Sequence, residues 1–448
     1  MGGLNRMITI ELILMVFFIS FIGVTIAIIV SLIPGLHIYS ILGFIVLILL
    51  EISFEELLFS VFVISTLIGY CLGSSISATY FQTPDDSSIF MVFPSQKYME
   101  EGRGYEAVYL SGLGAIGGTL TASLLVIFLG NYLIILVDLL VAHSFWIIAT
   151  AMVFVWMSEW PKDPARQKTR LGKLAGSWLQ LLMGLFVIIT SGILGIYLFF
   201  GSLVPPERSF QGLAAAFVGL FAFPSLLQNL VTGKKDLPKQ NIAKSIEFGR
   251  TELIQGIGGG LIGGALGMLI PSVTAGIGNT FSRHAVAQSG DKSFMFSQGF
   301  SRAIYYIGAV LLLFIPGTAI RRGGAALFIT LFYVPETQAD LLITASAALI
   351  AAFVGWLLFI LITKGVTKII HRINTRYISL FGAVVMLILT YIMLGWSGLV
   401  ILAVSTGIGV ITIVFNTRRI HCIGVITIPM MISMGGLTMG AMSLFGIA

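Results

Sequence analysis

The chain has 448 residues, 57% of them hydrophobic and only 10% charged, with a formal net charge of +6. A soluble globular chain carries about a quarter charged residues, so a sizeable soluble domain is excluded, and a mean hydropathy of +1.02 points to lipid as the solvent. The basic residues sit in short loops between apolar runs, a topology signal rather than a nucleic-acid surface. Cys71 and Cys422 both lie inside apolar segments, so neither a disulfide framework nor a Cys/His metal cluster is expected.

From the N-terminus, Arg6 is followed by an apolar run from Ile8 to Ile33 with no small-residue cleavage site, which reads as a retained helix. A bilayer core of about 30 Å takes about 20 helical residues. On that measure membrane segments are expected at 10–33, 38–50, 55–82, 105–130, 131–156, 173–200, 209–231, 251–270, 273–289, 294–315, 318–334, 337–363, 377–395, 397–416 and 421–445. The segments 38–50 and 273–289 are too short or too polar to span alone. Each follows a proline that ends an apolar helix, so half-helices or re-entrant hairpins are expected there. The fold class is therefore an all-α polytopic integral membrane protein, and spanning β-barrels, with their short alternating segments, are excluded.

Four basic stretches mark the cytoplasmic side by the positive-inside rule. They are Ser158–Lys173 (Lys162, Arg166, Lys168, Arg170, Lys173), Thr232–Arg250 (Lys234, Lys235, Lys239, Lys244, Arg250), the set Lys364, Lys368, Arg372 and Arg376, and the pair Arg418 and Arg419. An internal repeat is also legible. Leu32-Ile33-Pro34-Gly35 is followed 50 residues later by Thr83-Pro84-Asp85-Asp86, and Leu269-Ile270-Pro271-Ser272 is followed 45 residues later by Ile315-Pro316-Gly317-Thr318. The resulting organisation is a first transmembrane repeat at 1–157, connecting spans with two basic loops at 158–250, a second repeat at 251–395, and C-terminal helices at 396–448. An inverted relation between the repeats is expected, because paired breaks in two halves mark many secondary transporters.

Broken helices survive in lipid only where protein, water or a ligand pairs the freed backbone groups. The residues near the breaks are polar: His37, Tyr39 and Ser40 after Pro34; Ser74, Ser75, Ser77 and Thr79 before Pro84; Ser272, Thr274, Asn279 and Arg283 after Pro271; Arg321 and Arg322 after Pro316. Charges at membrane depth face a cavity or a partner, which singles out Asp85, Asp86, Arg283, Arg302, Arg321 and Arg322. Asp138 and His143 are not at helical neighbour spacing, so separate interior hydrogen bonds are expected of them. Asp85–Asp86 and Arg321–Arg322 stand at corresponding places with opposite sign. They either brace each other or serve different ligands, and separate roles are the expectation. No zinc-protease motif, P-loop or nucleophile elbow occurs, and no catalytic residue or enzyme activity is expected.

At these residues the sequence resembles the large permease subunit of the tripartite tricarboxylate transporters, the TctA family, in its archaeal branch. The first-half marks are Leu32-Ile33-Pro34-Gly35, Gly73-Ser74-Ser75-Ile76, Thr83-Pro84-Asp85-Asp86 and Glu101-Gly102-Arg103-Gly104-Tyr105-Glu106-Ala107-Val108. The second-half marks are Gly263 to Pro271 and Ile315-Pro316-Gly317. The chain departs from the family in having Pro271-Ser272 and Pro84-Asp85 where Pro-Gly is usual, and His37 where a small residue is usual. The resemblance implies a multi-pass protein of the prokaryotic plasma membrane, working with a small membrane subunit and an extracytoplasmic binding protein. The expected function is cation-coupled transport of a small anionic, carboxylate-like solute, with no cofactor beyond a coupling Na⁺ or H⁺. The substrate site would be formed by Pro34, Gly35, His37, Ser40, Ser74, Ser75, Ser77, Thr79, Pro271, Ser272, Thr274, Asn279, Arg283, Pro316, Gly317 and Arg321, with Asp85 and Asp86 on the cation path. The alternative is a translocase for polyprenyl-phosphate lipid carriers, with a cavity open sideways to lipid and lined by Arg283, Arg302 or Arg321.

Overall fold

The structure is a computed structural model that describes residues 9–49, 55–160, 169–232, 237–286, 289–318 and 320–447. Lys162, Arg166, Lys168, Lys234 and Lys235 lie outside the described residues. All regular structure among the described residues is helical. Among the described residues eight helices are long and apolar enough to cross a membrane, so the protein is an integral membrane protein.

In the first half, α1 (Ile10–Val30) ends before Pro34, and α2 (Ile38–Leu49) and α3 (Glu56–Tyr80) follow. Glycines let α1 and α3 touch along their backbones. A methyl group on Gly69 would stand 2.5 Å from the Val24 carbonyl oxygen, and one on Gly73 would stand 1.8 Å from Ser31 Oγ. The contacts advance together, from Gly23 against Phe62 to Ser31 against Gly73, so α1 and α3 run parallel. Parallel neighbours require a return between them, and the segment containing α2 supplies it.

The chain continues through α4 (Val92–Glu100), α5 (Gly104–Ala142), α6 (Ser144–Met157), α7 (Arg170–Phe200) and α8 (Pro206–Thr232). After α9 (Arg250–Leu269) come Pro271, α10 (Ala275–Ala285) and α11 (290–313), the last interrupted by a π turn at Ile304–Gly308. Gly256, Gly260 and Gly264 of α9 press in order against Phe296, Phe300 and Ile304 of α11, which is parallel packing. Gly263 and Gly259 meet Gly278 and Val286, so α10 runs back along α9. The chain ends with α12 (Gly323–Ile329), α13 (Gln338–Ile369), α14 (Thr375–Val414), α15 (Gly424–Met434) and α16 (Thr438–Leu444).

Two sets of direction emerge. Leu72 lies by Gly355 and Tyr80 bonds Thr367, so α13 follows α3 and α1. Gly114 and Gly118 of α5 meet Phe296 and Phe300, so α5 follows α11 and α9. Ser75 bonds Ser111 and Tyr80 touches Gly104, so α3 and α5 run oppositely.

Several expected boundaries change. The turn expected at 130–131 does not occur: α5 runs on to Ala142 and turns at His143. Gly130 is buried against Ile315, and no proline interrupts the apolar run, so one glycine does not stop the helix. The expected pair 377–395 and 397–416 is one helix kinked at Gly395, whose φ of 64° only glycine adopts readily. The segment expected at 421–445 is broken before Gly436. Asp138 and His143 are both exposed on the outer surface rather than hydrogen-bonded inside.

Candidate functional site

The first and third proline breaks share a backbone feature. Gly35 after Pro34 has φ +87°, and Ser272 after Pro271 has φ +60°. Both are left-handed, so the Pro271 break keeps a glycine-like turn although its residue is serine. Such a conformation costs a side-chain-bearing residue about 1 kcal/mol or more.

The breaks at Pro34, Pro84 and Pro271 converge on one buried cluster. His37 Nε2 lies 3.1 Å from Asp86 Oδ1, and both side chains are almost wholly enclosed. The backbone N–H of Tyr39 donates to His37 Nδ1 over 3.1 Å. A nitrogen that accepts an N–H carries no proton, so the neutral imidazole holds its proton on Nε2 and donates it to Asp86. The carboxylate of Asp85 is differently served. It accepts from the Tyr70 hydroxyl, from Ser87 Oγ at 2.8 Å, from the Ser88 N–H at 2.8 Å and from Ser88 Oγ at 2.5 Å. Asp85 is thus a fully solvated anion with protein in place of water, whereas Asp86 has His37 and the neighbouring Thr274.

The Pro271 break closes on the same place. Asn279 Nδ2 donates to the Ser87 carbonyl over 2.6 Å, and a methyl group on Gly276 would stand 2.6 Å from the Asp86 carbonyl oxygen. From the other side comes Arg302, fully buried in α11. It donates to Ser74 Oγ at 3.0 Å, to Ser75 Oγ at 2.6 Å and to the Cys71 carbonyl at 2.6 Å. Its Nε–H has no partner among the described residues. The π turn that begins two residues later aims Tyr305 and Tyr306 inward, with ring centroids 4.8 Å apart. A cavity of about 10 Å³ lies between Tyr39, these tyrosines, Arg322 and Gly323, room for about one water. The cluster is closed in this conformation.

His37, Asp85 and Asp86 each offer an atom within 4.8 Å of the others. A transition metal would need the Nε2 lone pair, which the Tyr39 bond to Nδ1 leaves protonated. The trio therefore fits a proton or a hard cation on the carboxylates better than a metal ligated by His37.

Of the residues singled out in the sequence, Pro34, Gly35, His37, Ser40, Asp85, Asp86, Pro271, Thr274 and Asn279 are buried around the convergence, and Ser272 makes its turn. Ser74 and Ser75 hold Arg302, while Ser77 bonds back to the Ser74 carbonyl and Thr79 is buried in α3. Arg283, Pro316, Gly317 and Arg321 are not brought to the cluster. Gly317 and Arg321 are exposed, and it is Arg322 that borders the small cavity. The acidic pair forms no ion pair with Arg321 or Arg322. Arg283 lies at the far end of α10, over the Phe90 ring at 5.6 Å. The Tyr70, Tyr305, Ser87 and Ser88 contributions were not anticipated. The Ser87-Ser88 pair directly after two aspartates was the available signal.

The Glu101-Gly102-Arg103 segment does different work. Arg103 bonds Glu106 at 2.9 and 3.0 Å and Glu101 at 2.8 Å. The bond to Glu106 and then that to Glu101 hold its guanidinium above the ordinary arginine pKa. Asn241 N–H donates to the Gly102 carbonyl and Gln240 accepts from Gly104, so this turn fastens the 237–249 stretch to the start of α5.

Residues 17–424 match the family described as the tripartite tricarboxylate transporter TctA family. The chain belongs to that family. It is also similar to an uncharacterized protein of Methanocaldococcus jannaschii, 22% identical over 91% of this chain and 96% of the relative, in keeping with an archaeal-type branch. No solved structure matches. Membership makes the chain a membrane permease of the transport class.

Proposed function

We propose that this chain is the permease of a tripartite system in the prokaryotic plasma membrane that moves a small carboxylate-type anion together with a proton held at Asp86. The observation that carries the reading is the buried Arg302, with one N–H unpaired and its charge felt at Asp85, in a cluster whose two carboxylates are unequally solvated. With Asp85 and Asp86 ionised, Arg302 charged and His37 neutral, the cluster has one net negative charge. An anion is repelled from such a site at low dielectric. A proton on Asp86 makes the cluster neutral and leaves Arg302 free to receive a substrate carboxylate in a charge-assisted bond. Proton binding thus precedes and permits anion binding. Full burial of Arg302 favours a soluble anion here over a lipid phosphate.

The breaks supply the architecture. We read α1–α2–α3 and α9–α10–α11 as re-entrant cores of two inverted repeats, at about 10–156 and 251–395, because each consists of a glycine-packed parallel pair around a proline break and the two run in opposite directions. A small membrane subunit and an extracytoplasmic binding protein would complete the system.

The test is carboxylate uptake into vesicles holding the chain with its partner subunits. Asp86→Asn should abolish stimulation by an inward proton gradient while preserving carboxylate exchange at equal pH on both sides. Gradient-driven uptake that persists unchanged in both Asp86→Asn and His37→Gln would overturn the proposal.

A further inference from the structure

A second constellation lies outside the proline cluster, at the end of α6 that enters the basic loop 158–173. A cavity of about 350 Å³ opens on the lipid-facing surface, lined by Trp146, Ile147 and Thr150 of α6, Leu266 of α9, Ile270 and Phe281. It is almost wholly apolar, and Trp146 stands 71% exposed at its rim. A groove of that volume suits a hydrocarbon chain.

Along α6 the apolar floor continues. Phe154, one turn beyond Thr150, stacks on Phe281 at 4.6 Å and meets the edge of His284 at 5.0 Å. One more turn reaches Ser158, whose Oγ accepts from Arg418 Nη1 at 2.5 Å. Thr150 to Ser158 is about 12 Å of helix. The groove therefore leads from a chain-sized apolar cavity to Arg283, His284 and Arg418. Among the described residues the carboxylate there is Glu159, already engaged by the Arg418 backbone N–H and by His421 Nε2 at 3.1 Å. The guanidinium of Arg283 has no hydrogen bond or ion pair among the described residues; it rests over Phe90 and is attracted at longer range by Glu159. Arg283 and Arg418 are close enough to act on each other electrostatically. Two half-buried guanidiniums within electrostatic reach of each other, one of them without a hydrogen bond among the described residues, at the end of an apolar groove match a phosphate carried on an acyl chain.

We propose that this groove binds an anionic phospholipid, its chain between α6 and α9 and its phosphate on Arg283 and Arg418. The site is separate from the Asp86–Arg302 cluster. It touches the Pro271 hairpin through Ile270 and Phe281, so an occupied groove would bridge that hairpin to α6.

The test is native mass spectrometry of the detergent-purified chain titrated with phosphatidylglycerol, with phosphatidylcholine, and with inorganic phosphate alone. Phosphatidylglycerol should bind at least about tenfold more tightly than phosphatidylcholine, the equivalent of about 1.4 kcal/mol. Arg283→Gln should remove that preference and Arg283→Lys should retain most of it, which separates charge recognition from misfolding. Thr150→Trp, which fills the groove, should weaken phosphatidylglycerol without changing binding of inorganic phosphate. Equal affinity for the two lipids overturns the proposal. So does competition by inorganic phosphate together with indifference to Thr150→Trp, since the occupant would then be a free anion.

Discussion

Replacing Arg302 by Gln removes a cation that no solvent reaches. Three hydrogen bonds go with it, to Ser74, Ser75 and Cys71. Ser74 and Ser75 keep helix-internal partners in the Tyr70 and Cys71 carbonyls, so their share of the loss is modest. The larger share comes from Asp85, whose charge loses the attraction of the buried cation although the two form no ion pair. Breaking a buried ion pair costs about 3–5 kcal/mol; these two charges act at longer range, so the loss should stay at or below that figure, still a large part of a total stability of about 5–15 kcal/mol. Asp85→Asn alone should also destabilise, because an amide cannot accept from Tyr70, Ser87 and Ser88 together. The double variant Asp85→Asn/Arg302→Gln removes both charges, and its loss should fall short of the summed single losses by about 1–3 kcal/mol. The assay is thermal unfolding of the detergent-solubilised chain for all four members of the cycle. Losses that add to within about 0.5 kcal/mol would show that the two charges do not sense each other, and the electrostatic account of the cluster would fail.

Other expectations follow from the backbone. Ser272→Gly should stabilise the chain by about 1 kcal/mol by relieving the left-handed turn, read as a rise in melting temperature; Ser272→Val should lower it. Gly73→Val should abolish stable expression, because even a methyl group would lie 1.8 Å from Ser31 Oγ and 2.9 Å from the Ile28 carbonyl. Gly258→Ala, where a methyl group meets nothing within 4 Å, is the matched control and should leave melting unchanged or slightly raised.

The proline punctuation of the sequence located the three segments that meet at the cluster, because proline cannot continue a helix and lipid does not tolerate what is left unpaired. Which side chains fill the meeting point was less legible. Arg283 stands nine residues after Thr274 and looked close to the break, yet nine helical residues are about 13 Å, and α10 carries it to the other end. Arg302 is far from the breaks in sequence and reaches the cluster through the packing of α11 on α3. The tyrosines depend on a π turn, which shifts side-chain phase by a fraction of a turn that no residue pattern announces. The end of α5 was misplaced because Gly130 has the composition of a turn and the environment of a helix interior.

The kink at Gly395 divides α14 into two arms with different attachments. On the first arm, Gly382 lies against the Pro34 carbonyl. On the second, Gly409 lies against Leu220 and Ser405 against Gly219, both in the π turn of α8. With φ 64° and ψ −145°, the joint sits where the backbone is open to glycine and closed to residues with a Cβ. The Pro34 break is therefore fastened to a lever with its own pivot, and a change of tilt at that break need not be transmitted to α8. Gly395→Ala would lock the pivot or break the helix there, and either result should slow substrate exchange more than it alters affinity for the bound anion.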